Sequence, residues 1–221
     1  MIKQIKLGIK MLRYSHGVIA CTVGAVLCYL LGFMMMMSDI SAEILGNAVG
    51  AYFFMMAPIW IMQMFYSMHA SSMVEASAHA KALQTSIPTL ISGIACVLSY
   101  IVVIVIQIKK GMNSPQNSEY IALELLMIAV VTMIYTCYMG VALKYFVLST
   151  IVFLISFLGI SMYLNIGRFL QFGIAIPVWA AGICGMGVIG LGMLAQYGLS
   201  RLVYRAPISK YAQLTSLRKT M

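Results

Sequence analysis

The sequence predicts an all-α, polytopic membrane protein with six transmembrane helices, an interfacial helix before them and a cytoplasmic helix between the second and the third. The chain is 62% hydrophobic and 9% charged, far below the roughly 25% charge of a soluble domain. Its apolar stretches are nearly free of charge, and each is long enough to cross a bilayer core of about 30 Å. They run Val18–Met37, Ile44–Met68, Ile87–Ile108, Ile121–Gly140, Tyr145–Leu164 and Ile174–Leu199.

The 221 residues form a single transmembrane domain, 1–221, because six spans leave little chain for anything else. We therefore expect no nucleotide-binding or catalytic module in this chain. The first apolar run lacks a short apolar core followed by a small-residue cleavage site, so we interpret it as a retained span.

The basic residues predict the orientation. With a cytoplasmic N-terminus, eleven Lys and Arg lie inside and only three, Lys109, Lys110 and Arg168, lie outside. This bias is typical of the positive-inside rule and places both termini in the cytoplasm. The net charge of +9 is thus explained by topology and by attraction to anionic membrane lipids, without nucleic acid as a partner.

The N-terminal residues 1–16 predict an amphipathic helix at the inner membrane interface. Ile2, Ile5 and Ile9 share one stripe, and Lys3 and Lys6 lie on the adjacent one, with the spacing of a helix face. Such a helix places its apolar side in the acyl boundary and its cations at the headgroups. A simple basic flank that enforces orientation is the alternative.

Glycines and a proline indicate how two spans pack. Gly46 and Gly50 form a GxxxG pair in the second span, and Pro58 lies near its middle. We expect close helix contact at the glycines and a kink at the proline. The last span has further glycines suited to close contact: Gly182, Gly185, Gly187, Gly190 and Gly192. Residues 200–221 form a basic cytoplasmic tail.

Residues 69–86 predict a short cytoplasmic helix. Ser72 and Glu75 fit a capping box, in which each side chain satisfies a backbone N–H at the helix start. Alanines follow, which favour helix, and Pro88 predicts a boundary where the third span begins. The polar residues Glu75, His79 and Lys81 either solubilise this helix or dock it into a groove on a partner.

The sequence offers no catalytic constellation. HExxH, GxSxG and a Walker A loop are all absent. The five cysteines lie inside predicted spans without metal-ligand spacing, which favours apolar packing. The methionines Met34–Met37 would spread around all sides of a helix, so flexible packing is favoured over a Cu(I) site.

Two polar residues in or near spans are candidates for the pathway or an interface, Gln63 and Glu124. Acids within a membrane are functional candidates by default. Glu124 lies about one turn from the outer end of its span, so the more ordinary alternative is that it snorkels to the interface.

The layout resembles an ABC-2-type transporter permease. Two features carry the resemblance. The first is the layout, with an amphipathic N-terminal helix and six spans whose two ends are both inside. The second is the stretch from Glu75 to Pro88, which is similar to that family's coupling helix because it has an acidic residue, a Leu-containing helix and a Ser-x-Pro-type ending. Basic residues that often follow the proline in the family are absent, since Thr89 to Gly93 are neutral.

The resemblance implies a permease subunit of a bacterial plasma-membrane exporter. Two permease chains, identical or different, would pair, and each would dock on a cytoplasmic ABC ATPase subunit that binds ATP and Mg²⁺. This chain would then need no cofactor and would not be an enzyme. The docking residues would be Ser72, Glu75, His79, Lys81 and Leu83. The cargo would be amphipathic or hydrophobic: a peptide or toxin, or else a lipid or drug. The alternatives are an ATP-independent secondary transporter or channel, and a non-transporting immunity or scaffold protein.

Overall fold

The computed structural model describes residues 18–37, 44–65, 79–113, 118–142, 144–167 and 176–207. Within these ranges the chain is helical and contains no strand, as the sequence predicts. The helices are α1 (Val18–Met37), α2 (Ile44–Gln63), a π-helical segment (Ala82–Ser86), α3 (Ile87–Asn113), α4 (Ser118–Val141), α5 (Phe146–Gly167) and α6 (Val178–Leu202).

Four helical stretches are long and apolar enough to cross a membrane by length and composition: Val18–Met37, Ala82–Lys109, Glu119–Val141 and Val178–Leu202. Two shorter apolar helical stretches, Val49–Gln63 and Val147–Ser156, lie in α2 and α5. Four of the six predicted spans are therefore helices long and apolar enough to cross a membrane, which supports a multi-pass membrane protein, while the count of six stays a prediction. The predicted interfacial helix 1–16 and the tail beyond residue 207 lie outside the described residues.

Helix α4 is the centre of the bundle. It packs along α6 and also contacts α2, α3 and α5, while α1 and α2 pair as a hairpin and α3 contacts α2 and α6. The main core joins α1, α2, α3, α4 and α6 through fully buried side chains such as Met36, Tyr100 and Leu125.

The outward faces of α1, α5 and α6 are apolar. Ile19 is 80% exposed, Ile155 is 66% exposed and Leu194 is 69% exposed. On α4, in contrast, Tyr120 alone among the large hydrophobic side chains is exposed. Such an apolar outer surface suits lipid, in which the helices satisfy their own backbone hydrogen bonds.

Small residues allow the helices to approach closely. At Gly32 an added Cβ would lie 2.5 Å from the backbone nitrogen of Phe54, and at Gly50 it would lie 2.9 Å from that of Met36. Gly50 of the predicted GxxxG pair therefore does contact α1, while the surroundings of Gly46 lie outside the described side chains.

The glycines of α6 divide into two groups. Gly182 and Gly185 face side chains of α3, and Gly192 faces Met133 and Thr136 of α4. Gly187 and Gly190 have open space around the position of a Cβ. The expectation of close helix contact thus holds for three of these five glycines, because only three of them point at a neighbouring helix.

The predicted boundary at Pro88 is wrong, since the helix continues through it. The backbone is helical from Ala80 to Asn113, with π geometry over Ala82–Ser86. The N–H of Ile87 bonds to the carbonyl of Ala82, five residues back. Proline has no N–H to give and its ring crowds the preceding turn, and a local π segment is a way to absorb such a mismatch. Pro88 therefore marks a change of helical geometry.

Candidate functional site

The described charges divide the bundle into two ends. Lys81, Lys144, Arg201 and Arg205 lie at the end where α2, α4 and α6 finish and α3 begins, which we call the basic end. Lys109, Lys110 and Glu119 lie at the opposite end. Arg201 at the basic end stacks over the ring of Tyr197, with 5.0 Å between its guanidinium carbon and the ring centroid, which suits a membrane interface.

The predicted docking residues separate into three groups. His79 and Lys81 are exposed at the basic end. Ser72 and Glu75 lie outside the described residues. Leu83 is only 1% exposed and packs with Phe65 and Ile87, so it is no part of an exposed docking surface. The helical period explains this correction: Leu83 is two residues beyond Lys81 and faces away from it.

Glu124 faces the inside of the bundle and does not snorkel. Its side chain is 8% exposed, and its Oε1 accepts a hydrogen bond of 3.0 Å from Nε2 of Gln107, which is fully buried. Six residues separate Glu124 from the start of α4, a depth of about 9 Å along the helix. The expectation that Glu124 snorkels to the membrane interface was therefore wrong, because the rotation of α4 turns the carboxyl toward α3.

The surroundings of Glu124 are well ordered by contacts between helices. The Tyr100 hydroxyl of α3 donates to the carbonyl of Leu125, the next residue, at 3.0 Å. Tyr52 of α2 packs against the core that contains Leu125. Glu124 and Gln107 thus link α4 to α3 at the opposite end of the bundle.

A pocket opens at the basic end. It is a cleft partly open to the surface, with a cavity volume of about 30 Å³, enough for about two water molecules. Its lining comes from the ends of α2, α4 and α6, from the π segment and the start of α3, and from Lys144 in the turn after α4. Gln63, the other predicted pathway residue, is exposed at the end of α2 and does not line this pocket.

Gln196 of α6 is the most buried polar side chain of the pocket lining, at 1% exposure. Its Nε2 donates to the sulfur of Met62 at 3.7 Å, and a thioether is a weak acceptor. Its Oε1 is buried and has no hydrogen-bond partner among the described residues. A buried amide with one unsatisfied half is uncommon and calls for an explanation.

Sequence reasoning missed Gln107 and Gln196 because it followed charge. Each is an amide side chain inside a long apolar helix. An uncharged polar side chain in a span needs a hydrogen-bond partner in the bundle, so a search for such side chains could have found both glutamines. Which partner it finds depends on the packing of helices distant in sequence.

The described residues contain no group of three His, Cys, Asp or Glu side chains that could hold a metal ion. None of the five cysteines, all of which lie in the described residues, forms a disulfide. In the Met34–Met37 run, Met36 is fully buried whereas Met34 and Met37 are mostly exposed, so the four side chains do spread around α1.

Comparison with known proteins found no match: no family model, no curated protein and no solved structure is similar to this chain.

Proposed function

We propose that this chain is the six-span permease subunit of an ATP-driven ABC exporter in a bacterial plasma membrane, with both termini in the cytoplasm. A separate ATPase would bind ATP and Mg²⁺ and dock at the basic end, and two permease chains would pair. The cargo would be an amphipathic or hydrophobic molecule, with a peptide or toxin ahead of a lipid or drug.

One observation carries the proposal: an exposed segment at the basic end continues directly into a helix of the bundle core. His79 and Lys81 are exposed, and the helix that begins at Ala80 continues through Leu83 and Thr85, which are buried, into α3. Because α3 contacts α2, α4 and α6, a force applied at His79 and Lys81 would reach the centre of the bundle. That is the mechanical requirement for a partner that drives changes in access.

Charge supports the orientation. Four described cations lie at the basic end, against two cations, Lys109 and Lys110, and the acid Glu119 at the other. Lys and Arg are retained on the cytoplasmic side of membrane proteins, so the basic end would face the cytoplasm, where an ATPase is found.

The test is purification of the tagged chain from its native membrane in mild detergent, followed by ATP hydrolysis measurements and mass spectrometry of the associated proteins. We expect an ABC ATPase with the wild type. The double variant His79→Glu/Lys81→Glu should reduce recovery of the ATPase about tenfold or more. The two glutamates would reverse the charge that this segment presents to the partner, and an interface that fits a basic segment repels an acidic one. Lys109→Glu, the same kind of change at the opposite end, should leave recovery unchanged. Absence of an ATPase from the wild type, or equal recovery with the double variant, contradicts the proposal.

A second candidate is an ATP-independent transporter coupled to protons or cations. It is favoured by the buried Glu124–Gln107 pair, because buried acids in spans often belong to ion or proton pathways. The chain alone in liposomes should then pass protons along an imposed gradient. Glu124→Gln should stop the flux while Glu119→Gln, an exposed acid on the same helix, should not. A wild type that passes none excludes this candidate.

A further inference from the structure

We propose that one buried polar face of α3 lines the pathway through the bundle, and that water enters this pathway from the pocket when the part of α3 at the basic end separates from its neighbours. The word pathway rests on the proposed transport function, while the access of water rests on the residues themselves.

The face in question runs along the π segment and α3. Its members follow one another at a spacing of three or four residues, which keeps them on one side of a helix. We call it the polar face, and all its members are 7% exposed or less: Thr85, Thr89, Ser92, Cys96, Ser99, Val103 and Gln107. On the opposite side Ile94 and Leu98 are apolar and more than half exposed. The helix thus turns its apolar side outward, as lipid requires, and its polar side into the bundle.

The polar face begins at the pocket of the basic end. Thr85 and Thr89 line this pocket together with the buried amide of Gln196 and the hydroxyl of Ser200. The pocket is partly open to the surface, and its volume of about 30 Å³ is enough for about two water molecules. Hydroxyl and amide groups supply the few polar partners that a buried water needs. Water can therefore reach the first two members of the polar face.

The hydroxyls nearest the pocket bond within their own helical run. Thr85 donates to the carbonyl of Lys81 at 2.6 Å, Thr89 to that of Thr85 at 2.8 Å and Ser92 to that of Thr89 at 3.2 Å. Among the described residues none of these three hydroxyls bonds to another helix. Separating this part of α3 from its neighbours therefore breaks none of their hydrogen bonds, and each oxygen still has a lone pair to accept from water.

The far part of the polar face is bonded to neighbouring helices. The hydroxyls of Ser99 and Tyr29 of α1 share a hydrogen bond of 2.8 Å, and Gln107 donates to Glu124 of α4 at 3.0 Å. The π segment and Pro88 lie in the other part, nearer the pocket, and π geometry inside a helix is frequent at functional sites. This contrast places the opening at the basic end and keeps the end with Glu124 closed.

The experiment measures thiol accessibility in the full-length chain, with its five cysteines replaced by alanine, in phosphatidylcholine nanodiscs without ATP. The probe is a charged methanethiosulfonate, which needs a thiolate in water. Thr89→Cys and Ser92→Cys should react about tenfold or more faster than Ile94→Cys, the matched control on the lipid side of the same helix. A chain that retains only its native Cys96 adds no new side chain to the polar face and should react at an intermediate rate. Val103→Cys should be as slow as the control.

The unfolding midpoint of each variant is compared with that of its parent, so that fast reaction reports access of water rather than unfolding. The proposal is overturned if Ser92→Cys and Ile94→Cys react at equal rates. It is also overturned if the rates rise from Thr89 toward Val103, because water would then enter from the end with Glu124. An unreactive polar face in a chain that binds an ATPase removes the pathway and leaves the partner, whereas a reactive face in a chain without an ATPase does the reverse.

Discussion

Two glutamines, one at each end of the bundle, are almost equally buried and yet differ in how their amides are satisfied. Gln107 is 0% exposed and donates to the Glu124 carboxyl at 3.0 Å. Gln196 is 1% exposed, donates to a thioether at 3.7 Å and leaves its carbonyl oxygen without a partner among the described residues. The first amide links two helices, whereas the second lines an open pocket. Burial alone therefore does not say whether a polar group is structural.

The contrast between Gln196 and Gln107 holds only if the bundle is packed as firmly near Gln196 as it is near Gln107. Gly192 lies one turn before Gln196, and a Cβ there would lie 2.9 Å from the Cα of Met133 on α4. Gly192→Leu should therefore force α6 away from α4 and lower the free energy of unfolding by about 3 kcal/mol. Thermal or denaturant unfolding in detergent measures the loss.

Gly187→Leu is the control for this change, because the same helix there faces open space. It should be close to neutral. If both leucine variants unfold alike, the basic end is loosely packed and its pocket is not a defined site.

The next effect concerns the satisfied glutamine. Gln107→Leu leaves the buried Glu124 carboxyl without this donor, and we expect a loss of about 2 kcal/mol in the free energy of unfolding. The double variant Gln107→Leu/Glu124→Leu should recover most of this loss, because neither side chain is then buried without the other. A double-mutant cycle measured by unfolding in detergent gives the coupling energy. Additive losses would mean that the pair does not link α3 to α4.

The smallest effect has the opposite sign. Gln196→Leu removes a buried carbonyl that lacks a partner and breaks only a weak bond to sulfur, so it should stabilise the ligand-free protein by about 1 kcal/mol. A rise in the unfolding midpoint would show that the buried carbonyl oxygen of Gln196 lowers the stability of the folded protein. If Gln196→Leu is as destabilising as Gln107→Leu, the contrast between the two amides disappears.

Much of the fold could be predicted because lipid imposes a simple rule on sequence. A stretch such as Val18–Met37, with no charge over its whole length, has few options other than a helix in a membrane. Close helix contact could be predicted for the glycines of α6 together but not for each one. Gly192 faces α4, whereas Gly187 on the same helix faces open space. Composition does not record the rotation of a helix.

The site was harder to predict for the same reason. Glu124 could face the interface or the bundle, and only the packing of α4 against α3 decides between them. Leu83 looked like part of a docking surface, yet the π segment and Pro88 carry it into the core beside Phe65. Gln107 and Gln196 carry no charge and so gave no signal to a search for charged groups.

The sequence by itself determined that this protein is helical and multi-pass and that four of its six described basic residues lie at one end, because the cost of charge in hydrocarbon acts on each residue separately. The tertiary structure decided which polar groups meet. Glu124 finds Gln107 across 17 residues of chain, and Gln196 finds Met62 across 134. Such pairs depend on the rotation and crossing of whole helices, which is why the closed carboxyl site and the open pocket become visible only in the folded bundle.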